Sequence, residues 1–275
     1  MADFSARAAD DELMDRLDSP APLLQNTLRQ FRWINRVLTP CHRLLRRHVL
    51  PRMRRDRDRA WTMLDIGAGG CDLPLWLVDR CRRERLDLAV TCIDHDPRVV
   101  EFARQRVVDH PEITLVHGDA LSLADIAPGS WDFVFSNHFL HHLSTPQIGG
   151  CLRQVVRACR ERCIMSDLVR SRVSYWLYTA AAGVFLRNSF AYDDGRLSIR
   201  KSLTKREAQL LVASDPSLAG LQVRSVFPGH LVFLSRPPTP GSTTSASGCQ
   251  NGARDSGQAA HPHGRLGHDD EVDVV

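Results

Sequence analysis

Five short apolar, β-branched runs recur through the middle of the chain: TMLDI from Thr62, LAVTCI from Leu88, ITLVH from Ile113, WDFVF from Trp131 and RCIMS from Arg162. Between them, Leu73 to Arg85 and Pro97 to Val108 carry the three- and four-residue apolar spacing of helices. Runs this continuously apolar fit strands buried on both faces, so the pattern predicts a parallel sheet with helices on either side. Two further runs, LQVRSVF and HLVFLS, are joined only by Pro228 and Gly229, a connection too short for a crossover helix. That last pair is therefore predicted to be antiparallel. Thr204 and Glu207 have capping-box spacing, which starts a helix just before it.

The ends read differently. Leu24, Leu28, Phe31, Asn35 and Leu38 recur at helical steps, predicting an amphipathic helix that breaks before Pro40 and resumes as a basic one. Such a helix can cap a cleft or lie on a membrane surface. From residue 237 the chain turns to Pro, Gly, Ser and Thr without apolar period, which predicts a disordered tail over 237–275. The expected organisation is a helical cap with a flexible start over 1–60, an α/β domain over 61–236 with an insert at about 168–203, and the tail.

The candidate chemistry begins at WTMLDIGAGGCD, Trp61 to Asp72, where the first strand ends in an acid and breaks into glycines. In an open α/β sheet, ligands bind at the carboxyl ends of strands, and a glycine turn opening a helix brings backbone close to a nucleotide-like ligand. A dinucleotide fingerprint would need its third glycine where Asp72 stands, and an acid at the turn would repel a pyrophosphate. Asp65 suits instead a ligand with positive charge. Asp94 ends the second strand in CIDHDP, placed to accept from ribose hydroxyls, and Asp119 ends the third in VHGDA, placed to accept from an adenine amino group. Three acids at three successive strand ends describe an adenosine carrying an amine, as in S-adenosylmethionine.

Together LDIGAGGCDLP, VTCIDHDP, VHGDAL and WDFVFSNHFLHHL resemble the successive motifs of the Rossmann-like (class I) S-adenosylmethionine-dependent methyltransferases, over about Trp61 to Arg236. The resemblance implies a seven-stranded, mostly parallel sheet with an antiparallel last strand. It gives Gly67, Ala68 and Gly69 to the methionine end of the cofactor, with Asp65 supporting the amino group. Asp94 with His95 goes to the ribose, Asp119 with Ala120 to the adenine, and Ser136 and Asn137 flank the methyl group. One departure is Cys71, which with Gly70 stands where the family's commonest pattern has a third glycine.

Methyl transfer from a sulfonium needs alignment and, for a phenol, removal of a proton. After the fourth strand the chain reads SNHFLHHLS, which lacks the proline pair of enzymes that methylate base or amide nitrogen. Histidine is the default base near neutral pH. By resemblance to small-molecule O-methyltransferases His141 fills the base position, with His142 and His138 as alternatives. The insert is rich in Tyr175, Trp176, Tyr178, Phe185 and Phe190, as expected of an apolar lid or of added core. Its segment DDGRLSIRKS resembles, more loosely, bacterial methyltransferases of polyketide or quinone-type metabolites.

Composition bounds these readings. A chain of 275 residues, 43% hydrophobic and 25% charged, supports one soluble core, with no secretory or spanning segment, and is expected in the cytoplasm. Eight cysteines without CxxC or ribbon spacing point to reduced thiols and no metal site. A net charge of +4 is too small to argue for nucleic acid, and the arginines between Arg43 and Arg59 alternate with Asp56 and Asp58 as on a solvated face. The expectation is an enzyme of secondary metabolism, monomeric or homodimeric, that methylates a small hydrophobic or aromatic acceptor at oxygen or carbon. A methyltransferase of RNA or protein and a cofactor-binding regulator without catalysis remain the alternatives, and the basic helix leaves room for peripheral membrane contact.

Overall fold

A computed structural model of the protein describes residues 2–121 and 129–236. The expected tail over 237–275 lies outside these residues.

The chain opens with α1 (Ala21–Val37), α2 (Cys41–His48) and α3 (Leu50–Met53). Alternation follows: β1 (Trp61–Ile66), α4 (Asp72–Glu84), β2 (Leu88–Asp94), α5 (Pro97–Arg106), β3 (Ile113–His117), β4 (Trp131–Asn137), α6 (Thr145–Ala158) and β5 (Cys159–Leu168). The insert folds as α7 (Arg172–Phe185) and α8 (Ala191–Lys201), and the chain closes with α9 (Lys205–Ala213), β6 (Leu221–Val226) and β7 (His230–Ser235). The sheet has seven strands in the order β3-β2-β1-β4-β5-β7-β6. β1 to β5 pair in parallel, while β7 runs antiparallel to both β5 and β6. Val226 pairs with His230, so Phe227 joins Pro228 and Gly229 in the turn, one residue more than the run lengths predict.

Period-two alternation sorts each central strand between two apolar layers. Met63 of β1 and Phe133 and Phe135 of β4 face Leu45, Met53, Leu77 and Cys81. Leu64, Ile66 and Val134 face the other way, onto Ile148, Leu152 and Val155 of α6. Trp61 and Phe133 stack with ring centroids 5.3 Å apart. Phe133 is 1% exposed, so Phe133→Ala is expected to cost about 3–5 kcal/mol, read as a lower urea midpoint at unchanged slope.

Caps set the helix starts as the sequence requires. Thr204 accepts from the Glu207 amide, and the Glu207 carboxylate answers the Thr204 amide at 2.8 Å. Asp96 caps α5 by accepting from the Arg98 amide at 2.8 Å. Three arginines of the basic stretch pair with acids: Arg54 with Glu84, Arg52 with Glu161, and Arg59 with Asp132 and Glu161. Among the described residues no helix is long and apolar enough to cross a membrane.

Candidate functional site

Strand order reverses between β1 and β4, and a cavity of about 190 Å³ opens there at their carboxyl ends. Its floor is the β1–α4 turn, with φ of +66° at Gly67 and +55° at Gly69. The Gly67 amide donates to the Ile93 carbonyl at 2.9 Å, which pins the turn to the end of β2. A Cβ at Gly67 would come within 3.1 Å of Phe139, whereas nothing lies within 4 Å of one at Gly69. Gly67 is thus required by the protein and Gly69 is left open toward the cavity. Cys71 also takes a left-handed conformation, φ +57°, of the kind that favours glycine, and is buried. Gly67→Ala combines strain with a clash and is expected to weaken cofactor binding about tenfold, measured by isothermal titration.

The acids above the turn divide into two environments. Asp65 is 3% exposed and no basic side chain pairs with it among the described residues. Burial, with the Asp94 charge adding, raises its pKa well above the usual range, the condition of a carboxyl suited to a cationic ligand group. Asp94 Oδ2 accepts from the Gly69 amide at 3.0 Å and Oδ1 from the Asp96 amide at 3.2 Å. Burial raises its pKa as well, against those two bonds. His95 lines the rim, its Nδ1 3.8 Å from Asp94. Ala68, Asn137, His138, His141 and His142 also line the cavity.

Three expected residues do not. Asp119 is exposed and its carboxylate accepts from the Leu121 amide at 2.8 Å, while Ala120 and Ser136 are buried outside the cavity wall. Asn137 turns its amide nitrogen to Asn35 of α1 at 3.1 Å, leaving its Oδ1 buried without a hydrogen-bond partner.

His141 and His142 occupy a 3₁₀ turn at Leu140–His142. Asp167, at the end of β5, accepts from the His141 amide and from His141 Nδ1, both at 2.7 Å. Burial alone would raise Asp167, but the His141 charge and hydrogen bond bring it down to about 2. His141 Nδ1 therefore carries a proton, and Nε2 is the outer nitrogen. That nitrogen faces Glu12 Oε1 at 3.5 Å. His142 pairs through Nδ1 with Asp15 at 3.0 Å. Its pKa is raised, because the bond to Asp15 and the charge of Glu12 outweigh burial. His138, strained at φ +57°, sets its Nε2 2.9 Å from His230 Nε2, and His230 Nδ1 meets the Pro228 carbonyl. A carbonyl only accepts, so the protons order along this chain and His138 Nδ1 is left as an acceptor. Burial pushes both histidines down, and both are neutral.

Sequence reasoning missed the segment that closes this side. Arg7 donates to the carbonyls of His141 and Leu143, and Asp194 of α8 accepts from the amides of Leu13 and Met14 at 2.7 and 3.0 Å. Nothing periodic marks Glu12 or Asp15, whose place is set by these long-range bonds. Of the aromatic residues in the insert, Tyr178 lines the cavity, Tyr175 is buried, and Trp176 and Phe185 are exposed.

An acid near a glycine turn for an ammonium, a second acid for a diol and an open backbone approach fit S-adenosylmethionine. Residues 63–162 match the family model described as a methyltransferase domain. No curated protein matches the chain in sequence. Among solved structures, PigF with SAH is similar at a TM-score of 0.53 and 16% identity, over 82% of this chain and 62% of that one. Human N-acetylserotonin methyltransferase in complex with SAM gives 0.52 and 17%, over 78% and 56%. The plantazolicin methyltransferase BamL, in complex with a triazolic desmethylPZN analog and SAH, gives 0.52 and 14%, over 74% and 76%.

Proposed function

We propose that this chain is a class I S-adenosylmethionine-dependent methyltransferase and that it methylates a small hydrophobic or aromatic molecule at oxygen or at an activated carbon. The observation that carries this reading is the upper wall of the cavity. Leu28, Phe31 and Ile34 of α1, Leu38 just after it and Tyr178 of α7 make it apolar, and Glu12, Met14 and Asp15 also line the cavity. A polyketide- or quinone-like metabolite fits such a wall. The reading includes a cytoplasmic setting and a lid formed by the insert together with α1.

Bound cofactor supplies a methyl group on an electrophilic sulfonium. Asp65 would face its ammonium, Asp94 its ribose hydroxyls, and the 67–69 backbone its methionine end. His141 would take the proton of a phenolic acceptor through Nε2, with Asp167 holding its tautomer and ring orientation. Glu12 narrows the approach to Nε2, so the acceptor enters beside it. The alternative of an RNA acceptor finds less cationic surface than the sequence suggests, since Arg52, Arg54 and Arg59 of the basic stretch pair with acids of the protein itself.

The test incubates purified protein and methyl-labelled S-adenosylmethionine with extract of a source strain lacking the gene, then partitions the label. Label in the organic phase is the expected result. Label in RNA or protein would contradict the small-molecule reading, and cofactor binding without transfer to any fraction would leave a regulator.

A further inference from the structure

Glu12, His141 and His142 each bring one ligand-type atom to within 4.8 Å of the other two, although Glu12 is far in the chain from the adjacent histidines. We propose that they form a divalent transition-metal site at the mouth of the methyl-acceptor cavity, holding a borderline ion such as zinc or ferrous iron.

Both imidazoles are oriented as metal ligands are: His141 Nδ1 is held by Asp167 at 2.7 Å, and His142 Nδ1 by Asp15 at 3.0 Å. A carboxylate on one ring nitrogen fixes the tautomer and makes the other a better ligand. His141 Nε2 and Glu12 Oε1 are 3.5 Å apart. Two ligand atoms that each bind zinc at about 2.1 Å in a tetrahedron are separated by about 3.4 Å, so this pair already has the edge length of such a site. A lone pair and a carboxylate oxygen facing each other at that distance repel unless a cation or a proton lies between them. Two histidines and one carboxylate are the donor set of borderline metals, and three protein ligands leave a position open toward the cavity. Lys201 is the opposing charge: its Nζ stands 3.5 Å from the same Glu12 oxygen. The Ser198 hydroxyl lies 3.0 Å from that oxygen and 2.8 Å from the Asp194 carbonyl, and its one proton is shared between them.

The site rests on these contacts and not on the methyl-transfer reading. A bound ion would occupy Nε2, so the metal-loaded and metal-free forms differ in whether that nitrogen is available for the base role proposed above.

The test uses the full chain, stripped with chelator and titrated with cobalt(II). The expected result is one ion per chain with the intense visible bands of tetrahedral cobalt and no thiolate charge-transfer band, which distinguishes the site from the cysteines. Glu12→Gln, which keeps the Ser198 bond, and His142→Ala should each weaken binding at least about tenfold, and Asp15→Asn about 10- to 100-fold. Lys201→Met should tighten it. Thermal melting of each variant checks that the fold is retained. Absence of a stoichiometric ion, a thiolate band, or unchanged affinity in folded Glu12→Gln and His142→Ala would overturn the site. Each of those outcomes leaves the labelling experiment free to succeed or fail on its own.

Discussion

Asp94→Ala is expected to weaken S-adenosylmethionine binding about a hundredfold by isothermal titration. The carboxylate stands to lose two charge-assisted hydrogen bonds to ribose hydroxyls, each worth about 1.5–3 kcal/mol. A floor of about 3 kcal/mol corresponds to that factor. The same carboxylate accepts from the Gly69 amide, so its removal also loosens the turn that approaches the methionine end. Asp119→Ala is the contrast. Asp119 is exposed outside the cavity wall, and its loss is expected to cost less than about tenfold. Equal effects at both positions would mean that the adenine end, beyond the described cavity, dominates binding.

His141→Ala is expected to lower kcat by about 10²- to 10⁴-fold while leaving the KM for the cofactor within about twofold. The reason is positional: the buried ring lines the cavity and is fixed there by Asp167. Asp167→Asn should reproduce most of the loss, because an amide can present its NH₂ to Nδ1 and turn the lone pair away from the acceptor. The pH dependence separates the two partners. Asp167 is depressed to about 2, below its unfolded value, so the stability it contributes is fully present above about pH 4 and is lost only as pH falls toward 2. Loss of activity above about pH 4 in the wild type therefore does not come from release of Asp167. His142→Ala, whose ring is paired with Asp15 farther out, should lower kcat less than His141→Ala.

Much of this was legible in the chain, for definable reasons. Strands such as TMLDI and WDFVF are buried on both faces, and their continuous apolar runs say so. The glycine turn and Asp94 announce themselves because a close backbone approach and a strand-end carboxylate are local features. The Phe227 turn differs from expectation by one residue because an apolar side chain in a turn looks like strand in a run. Cys71 could not be placed by rule, since its left-handed backbone is imposed by the turn between Ala68, whose carbonyl accepts its amide at 2.9 Å, and α4. The acceptor side was the least legible part. Glu12, Asp15, Asp167 and His230 reach it only through tertiary contacts, and each in isolation reads as an ordinary surface acid or a strand-end histidine.

The most direct measurement is a crystal structure of the protein with S-adenosylhomocysteine. The predicted result has both ribose hydroxyls within hydrogen-bonding distance of Asp94, the ammonium beside Asp65, and the sulfur directed at the space between the 67–69 turn and His141. A ligand whose ribose lies away from Asp94, or whose sulfur points out of the cavity and away from His141, would contradict it.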